Sequence, residues 1–384
     1  MSVTSSPDAR RGRDELAIVT QDPRFGGGAL AQLRAFLDGA VAAGHTPTLH
    51  YARRPPLDGP SPLADVRAVE VASRLSRIDS LRVPLAARRL AGPVRDARSI
   101  WVVATMAHYG LGALRSGAPY GCWIGTTYDS ELAGRRAGLD PGRRLVARLN
   151  GPALRRWERD VLAGASVLLA PTEQIADELA ATADLERGRV GVLPIPIDTQ
   201  RFSPLSDEDW VRRPPRLVFV GRGDDPRKNV GLLLDAFRLV RRAMPKLTLR
   251  LVGRPPSGPL PDGVEALGEV PDVAAHVRES RLLVLPSTQE GFGVAAAEAL
   301  ACGVPVVTTP CGGPEDAVRR SGGGRVLSGF DAEELADVTV KLVGDEPTLV
   351  SMRAAGRRHV VDRYGLDRFR DSLGSLLDPH DRAA

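Results

Sequence analysis

The chain has 384 residues, of which 43% are hydrophobic, so two domains that each bury a core are the natural expectation. Its net charge is +5, but aromatic residues make up only 4%, which argues against a nucleic-acid surface built on stacked bases. Cys122, Cys302 and Cys311 show neither metal-ligand spacing nor an even disulfide set, which favours a reducing cytoplasm.

The amino-terminal half begins with a pattern of strand, loop and helix. Leu16 to Thr20 form a short apolar run, which is typical of a buried strand. The loop DPRFGGG follows, and residues 29–43 predict a helix. Gly26, Gly27 and Gly28 could bring backbone amides close to a phosphate, although a glycine triplet is more often a flexible turn.

A second strand in this half is followed closely by a histidine. Ser99 to Thr105 predict the strand, and His108 comes three residues after its end. A lone histidine after a strand is by default a structural residue that makes hydrogen bonds within the fold. The residues alone therefore leave a role at a ligand open for His108.

Arginines crowd two stretches of the amino-terminal half, and leucines and valines are interleaved with them. The first stretch contains Arg74, Arg77, Arg82, Arg88, Arg89, Arg95 and Arg98, and the second contains Arg135, Arg136, Arg143, Arg144, Arg148, Arg155, Arg156 and Arg159. Such segments are candidates for basic amphipathic helices that rest on an anionic membrane. An ordinary solvated helix face is the simpler interpretation in an arginine-rich chain.

The carboxyl-terminal half begins after a polar, proline-containing stretch at 203–215, which predicts a linker. Leu217 to Val220 then predict a strand, and a loop from Gly221 to Asn229 leads into an amphipathic helix. Arg222 and Lys228 lie in this loop, where a planar guanidinium and a point charge together suit a diphosphate. A solvated surface charge is the alternative for either residue.

The most informative segment covers residues 281–309, which read as strand, loop, helix and strand. Gly291 and Gly293 open an alanine-rich helix; Glu290 precedes the helix, and Glu298 lies about two turns after Glu290. Free amides at a helix start would face an anion, and the two carboxylates would accept hydrogen bonds from sugar hydroxyls. The segment therefore predicts a sugar-phosphate site, although solvated surface glutamates are the alternative.

Together these segments resemble the carboxyl-terminal half of glycosyltransferase family 4. The motifs agree in order and spacing, and they are VGR at 220–222, RKN at 227–229, PS followed by E-GFG and E at 286–298, GVPVVTT at 303–309 and GGPE at 312–315. The tract VLPIPIDTQRF at 192–202 also resembles a family turn, but Pro196 and Ile197 replace its Asn and Gly.

The resemblance implies a role for each matching residue of the carboxyl-terminal half. Arg222 and Lys228 would hold the donor diphosphate, Glu298 would bind the nucleotide ribose, and Glu290 would contact the donor sugar. The segment that follows Glu290 would grip the sugar and the distal phosphate, and its donor-binding residues are Gly291, Phe292, Gly293 and Val294.

The resemblance extends to the amino-terminal half. Gly27 and Gly28 would belong to a glycine-rich loop that faces the donor phosphates across a cleft. His108 would orient or polarise the donor sugar, which reverses the default structural interpretation. With Arg222, Lys228 and Glu290, His108 completes the expected catalytic set.

The resemblance also predicts the fold and domain organisation. We expect an α/β protein of the GT-B class, with two Rossmann-like doubly wound domains facing a central cleft. The acceptor domain would span 1–205, the nucleotide-sugar domain 206–364, and a terminal helix at 365–384 would cross back to the first domain. Residues 1–13 and 380–384 look like disordered ends.

The resemblance also implies a reaction that retains the anomeric configuration of the transferred hexose. Two displacement steps would need a carboxylate nucleophile, which nothing in this sequence identifies, so we favour a same-face substitution. No metal is expected, because Asp224 and Asp225 stand beside cations and are best interpreted as turn formers and charge partners.

The identities of donor and acceptor are less well defined. A uridine diphosphate sugar is the expected donor, and a mannosyltransferase using guanosine diphosphate mannose is the alternative. The sequence does not identify the acceptor, for which we expect a molecule such as a glycan, a lipid or a small metabolite. A non-catalytic nucleotide-sugar-binding protein and a nucleotide-sugar epimerase stay open as other functions. We expect a cytoplasmic protein, with peripheral contact to the inner face of the membrane as an option and no nucleic-acid partner.

Overall fold

The computed structural model describes residues 15–53, 61–71, 79–135 and 141–377. The expected disordered ends, and Arg74, Arg77 and Arg136, lie outside these residues. The chain divides into two compact units, the first comprising Met1–Leu132, Leu139–Pro194 and Phe369–Ala384, and the second Ala133–Gly138 and Ile195–Arg368.

The first unit is built on a parallel sheet of seven strands in the order β3-β2-β1-β4-β5-β6-β7. The strands are β1 (Glu15–Thr20), β2 (Thr46–Ala52), β3 (Ala68–Val71), β4 (Ser99–Ala104), β5 (Gly121–Ile124), β6 (Val167–Ala170) and β7 (Val190–Val192). Its helices are α1 (Gly27–Ala42), α2 (Asp79–Arg95), α3 (Leu111–Ser116), α4 (Tyr128–Arg135), α5 (Pro141–Ala163) and α6 (Glu173–Ala183). The apolar side chains of β1 and β4 are buried, which explains why both strands were recognisable as continuous apolar runs.

The second unit is built on a parallel sheet of six strands in the order β10-β9-β8-β11-β12-β13. The strands are β8 (Arg216–Val220), β9 (Thr248–Val252), β10 (Val264–Gly268), β11 (Leu282–Leu285), β12 (Val306–Thr308) and β13 (Gly324–Val326). The helices are α7 (Asp207–Arg212), α8 (Val230–Ala243), α9 (Val273–Arg278), α10 (Val294–Ala301), α11 (Gly313–Ser321), α12 (Ala332–Val343) and α13 (Glu346–Tyr364). Both units thus show the doubly wound α/β architecture that the sequence predicts.

The predicted linker at 203–215 is wrong as a description of this stretch, because it contains helix α7. Ser206 caps the helix by accepting the backbone N–H of Asp209 at 3.1 Å. Trp210 is 1% exposed, and its indole N–H donates to Glu346 at 2.7 Å. The polar residues of this stretch cap helix α7, and the buried side chain of Trp210 packs the stretch against the second unit.

The change between units falls at Pro194 and Ile195, earlier than the expected boundary at 205 and 206. Residues 195–202 stay with the second unit because the end of α13 holds them. The N–H of Ile197 donates to the carbonyl of Tyr364 at 2.7 Å, and Arg357 donates to the carbonyls of Thr199 and Phe202 at 3.0 and 2.8 Å.

The last helix, α14 (Leu366–Leu377), contributes its residues from Phe369 onward to the first unit. The Phe369 ring lies 5.4 Å from the ring of Trp123 on β5. Gly39 on α1 faces the same helix, and a Cβ at this position would come within 2.7 Å of Leu373. The close approach of the two helices therefore requires the absence of a side chain at Gly39.

Candidate functional site

The strand order of the second unit reverses between β8 and β11, since β9 and β10 lie on one side and β12 and β13 on the other. In doubly wound sheets ligands bind at such a switch point, outside the carboxyl ends of the strands. The loops at 221–229 and 286–293 leave these two strands at this edge. They are joined where the N–H of Thr288 donates to the carbonyl of Arg227 at 2.8 Å.

Asp225 organises the cations of the first of these loops. Its carboxylate accepts from Arg222 and Arg227 at 2.8 Å each, and from the backbone N–H of Arg227 at 3.1 Å. Burial alone would raise the pKa of Asp225, but the hydrogen bonds and charge of Arg227, with the charge of Arg222, hold it well below its usual range. The interpretation of Asp225 as a turn former and charge partner is confirmed. The carboxylate of Asp224 lies 3.9 Å from the guanidinium of Arg254.

The structure brings together two residues that the sequence predicts for the site, Lys228 and Glu290. The Lys228 ammonium donates to Glu290 Oε1 at 2.5 Å, and the Ser287 hydroxyl donates to the same oxygen at 2.7 Å. The side chains of Lys228 and Glu290 are 17% and 14% exposed, so solvent screens the pair only partly. One cation and one carboxylate are therefore fixed side by side at the switch point.

A pair of glycines shapes the segment that follows Glu290. Gly293 has φ +76°, and a Cβ there would lie 2.4 Å from Pro314. A Cβ on Gly313 would lie 2.2 Å from the carbonyl oxygen of Gly291, so the two backbones touch. The N–H of Glu290 also donates to the carbonyl of Cys311 at 2.7 Å. The GFG turn is thus held rigidly against the start of α11.

Helix α10 begins at Val294, directly after this turn. Within the described part of the chain, no side chain caps the helix at Gly293, so its first amides suit an anionic group. Phe292 is 6% exposed, and its ring lies 5.0 Å from that of Tyr364. The ring of Phe292 is therefore packed within the second unit, which leaves its backbone as the group for the predicted contact with a donor.

Glu298 lies one turn into α10 and is half-buried. Burial raises the pKa of its carboxyl to about 7, and the charge of Arg201 opposes this shift. A carboxyl with a pKa near neutrality can accept hydrogen bonds as a carboxylate or donate one as an acid.

The strand order of the first unit reverses between β1 and β4, and the expected residues of this unit follow those two strands. Gly27 and Gly28 form the first turn of α1, whereas the sequence suggested a loop before a helix at 29. His108 lies in a 3₁₀ turn at Ala107–Gly110, which begins three residues after β4 ends. Gln21 joins the two loops by accepting the N–H and hydroxyl of Thr105 at 2.8 and 3.1 Å.

His108 is 1% exposed, and its ring lies 4.3 Å from that of Tyr109 and 6.2 Å from that of Tyr128. Its position at the switch point agrees with a role at a ligand, whereas its burial shows that the surrounding fold fixes the ring orientation. The role of His108 at a ligand therefore stays a prediction.

Sequence reasoning missed two groups of supporting residues. Ser287 and Thr309 form a chain in which the Thr309 hydroxyl donates to the Ser287 carbonyl at 2.5 Å and the Ser287 hydroxyl holds Glu290. The PS dipeptide before the loop was the available signal. Glu158, buried on α5, accepts the backbone N–H of Tyr128 at 2.9 Å, and nothing in its arginine-rich surroundings marked it in the sequence.

Comparison with known proteins agrees with this geometry. Residues 26–201 match the family model described as Glycosyltransferase Family 4, and residues 214–345 match the model described as Glycosyl transferases group 1. A D-inositol 3-phosphate glycosyltransferase of Thermomonospora curvata is 33% identical over 256 residues, which cover 58% of this chain and 59% of that protein. The alignments thus span little more than half the length of the curated relatives.

Solved structures share the fold over nearly the whole chain. A sucrose-phosphate synthase from Thermosynechococcus elongatus has a TM-score of 0.77 at 18% identity, covering 97% of this chain and 100% of that one. Anabaena HepE, in complex with UDP and glucose, has a TM-score of 0.71 at 15% identity, covering 95% and 99%. The predicted GT-B class is therefore confirmed. In the part of the chain that the structure describes, we find no helix with the length and apolarity to cross a bilayer.

Proposed function

We propose that this chain, which belongs to glycosyltransferase family 4, is a retaining enzyme that moves a hexose from a nucleoside diphosphate sugar to an acceptor. The observation that carries the proposal is the contact between Lys228 and Glu290 at the switch point of the second unit, on a loop shared with Arg222. A cation for a diphosphate and an acid for a sugar hydroxyl stand next to each other there.

Breaking a bond between sugar and phosphate places negative charge on the leaving diphosphate. Fixed cations lower the barrier when they stabilise this charge more strongly in the transition state than in the ground state. The proposal gives that task to Arg222 and Lys228, assisted by the first amides of α10, and it requires no bound metal. Asp225 keeps Arg222 oriented, and Ser287 does the same for Glu290.

Retention follows most simply from a same-face substitution, in which the departing phosphate oxygen takes the proton of the acceptor hydroxyl. Such a reaction needs positioned groups and exclusion of water, and it needs no covalent intermediate. Glu290 holds the hexose, Glu298 holds the ribose, and His108 orients the donor sugar. Gly27 and Gly28 contribute amides to the phosphates.

A uridine diphosphate sugar is the proposed donor, supported by the structural likeness to a protein solved with UDP and glucose. Guanosine diphosphate mannose is the alternative. For the acceptor, the relatives named as D-inositol 3-phosphate glycosyltransferases favour a small hydroxylated metabolite over a glycan or lipid.

The test incubates the purified full chain with UDP-glucose, UDP-N-acetylglucosamine and GDP-mannose, and measures release of nucleoside diphosphate with and without inositol phosphates. We expect one donor to be hydrolysed slowly and consumed faster with an acceptor. Binding of a donor without any turnover would favour the non-catalytic alternative. Isomerisation of the donor without an acceptor would identify an epimerase.

We further propose a cytoplasmic protein that contacts the inner membrane surface through the outer faces of α2 and α5. Leu81 and Leu85 on α2 are 54% and 44% exposed, and Leu145 and Leu149 on α5 are 57% and 71% exposed. Exposed arginines accompany both pairs, namely Arg88 and Arg89 on α2 and Arg144 and Arg148 on α5. Apolar side chains flanked by cations suit an anionic bilayer.

Co-sedimentation with vesicles tests this contact. The chain should sediment with vesicles of phosphatidylglycerol and phosphatidylcholine but not with phosphatidylcholine alone, and Leu145→Ser with Leu149→Ser should abolish the difference. Equal sedimentation with both vesicle types, or an unaffected double variant, would contradict it.

A further inference from the structure

A buried carboxylate on α5 joins two loops of the first unit. Glu158 is 1% exposed, its Oε2 accepts the backbone N–H of Tyr128 at 2.9 Å, and the backbone N–H of Ala107 also stabilises its charged form. Tyr128 begins α4, and Ala107 begins the 3₁₀ turn that carries His108. One carboxylate thus interacts with the first backbone N–H groups of both segments.

This carboxylate has a specific electrostatic environment. Burial raises the pKa of Glu158 to about 7, the two backbone N–H groups oppose the shift, Asp129 on α4 adds to it, and Arg155 on α5 opposes it. Arg155 is itself paired with Asp129 at 2.8 Å. From the 3₁₀ turn, His108 is the neighbouring titratable group, and Tyr109 follows it.

Both interactions depend on the charge of Glu158, because a carboxylate attracts backbone N–H groups more strongly than a protonated acid does. Loss of the attraction to the Ala107 N–H would release the residue directly before His108. Loss of the bond to Tyr128 would release an aromatic ring that faces His108 edge-on at 6.2 Å.

We propose that Glu158 is a positioning residue for His108, and that it acts by holding the start of the 3₁₀ turn and the start of α4 in one arrangement. The proposal rests on the function proposed above, in which His108 orients the donor sugar. Glu158 itself touches no substrate in this account. Its effect on turnover should therefore pass entirely through His108.

A double-mutant cycle tests this dependence. Glu158→Gln should lower kcat about tenfold or more while the donor KM changes less than about threefold, since the loss concerns orientation and not binding. In a His108→Ala background, Glu158→Gln should lower kcat little further, because the effects of mutations at coupled residues do not add. Glu173→Gln, on the exposed start of α6, is the control and should behave as wild type. Additive losses, or a fully active Glu158→Gln variant, would overturn the proposal.

The pH dependence supplies a second readout. Wild-type kcat should rise through about pH 7 as Glu158 ionises, and this limb should disappear in Glu158→Gln. An identical limb in the variant would count against the proposal. If the wild-type chain turns over no donor at all, the proposed function fails. The claim that Glu158 holds the starts of the 3₁₀ turn and of α4 is still testable without turnover.

Nuclear magnetic resonance on the wild-type full chain tests whether Glu158 holds these two segments. Because it needs no variant, this experiment also applies if Glu158→Gln does not fold. The amide resonances of Ala107 and Tyr128 should titrate together near pH 7, because both N–H groups interact with one carboxylate. Independent titration, or no titration of either amide, would overturn the assignment of Glu158.

Discussion

Lys228 shows how a residue can be recognised in the sequence while its partner comes from the fold. It is one of three lysines in the chain, and its position in the loop after β8 indicated a need for an ammonium group. The structure adds that Glu290, on the loop after β11, holds this ammonium at 2.5 Å. A donor diphosphate entering the site would compete with Glu290 for Lys228.

Replacement of Lys228 by Ala should lower kcat about 100-fold, which corresponds to about 3 kcal/mol of lost transition-state stabilisation. Binding of the intact donor should weaken less, because the charge on the diphosphate increases as the bond to the sugar breaks. Steady-state kinetics and donor titration of the same samples separate the two effects.

Lys246→Ala is the matched control, since Lys246 is exposed at the end of the loop after α8. It should keep wild-type kcat and donor affinity. An unchanged kcat in Lys228→Ala would contradict the role of this ammonium in the transition state.

For single residues, the sequence predicted those that belong to motifs and missed those that hold the motif residues in place. Glu290 and Lys228 were identified from motif order and spacing. Glu158 was missed because its function lies in a contact with the backbone of Tyr128 that only the folded chain brings near. Ser287 was missed although it lies three residues before Glu290, because the sequence does not show that its hydroxyl turns towards that carboxylate. A buried glutamate in an arginine-rich helix has the same local pattern as a solvated one.

Among the elements, the GFG turn before α10 depends on backbone contact with the start of α11. Gly313→Ala would place a Cβ 2.2 Å from the carbonyl oxygen of Gly291, so the turn must shift. We expect this variant to lose at least about tenfold in kcat/KM, since displaced amides no longer meet the donor. Enzyme kinetics together with circular dichroism will distinguish a shifted turn from an unfolded unit.

Gly231→Ala serves as the control for this element. A Cβ at Gly231, near the start of α8, would meet nothing within 4 Å. The substitution should leave activity unchanged and stabilise the chain by roughly 0.5–1 kcal/mol, as expected for glycine to alanine in a helix. Equal activity of both variants would show that the close contact at Gly313 does not position the turn.

Strands and most helices were predictable because buried parallel strands are continuous apolar runs, as β4 and β11 show. Helix α7 was not, because its six residues carry polar caps and only one large buried side chain, Trp210. The start of α1 at Gly27 was also missed, since glycine is a weak helix former and its sequence pattern resembles a turn.

For the whole molecule, buried carboxyls make stability depend on pH. Burial raises the pKa of Glu158 and of Glu298 from 4.5 to about 7. Between these values the folded chain binds more protons than the unfolded chain, so their stabilising effect is complete below about pH 4.5 and is lost as the pH rises through 7. Asp225 acts in the opposite direction, because its lowered pKa contributes stability that disappears on acidification.

We therefore expect the unfolding midpoint of the wild-type chain to fall between pH 5 and pH 8. Glu298→Gln should flatten this fall, because each such carboxyl contributes on the order of 3 kcal/mol to the change. Glu333→Gln, at an exposed position of α12, should keep the wild-type profile. Thermal unfolding monitored by circular dichroism gives these profiles, and parallel curves for Glu298→Gln and wild type would contradict the assignment.

The central claim is that the second unit binds a diphosphate at the switch point between β8 and β11. Calorimetric titration of the full chain with UDP, UMP and uridine tests it most directly, because the three ligands differ only in phosphate number. The account predicts that UDP binds at least about tenfold more tightly than UMP, a difference of 1.4 kcal/mol or more, and that Lys228→Ala removes most of this difference. Equal affinities for UDP and UMP in the wild-type chain, together with turnover of a uridine diphosphate sugar, would contradict it.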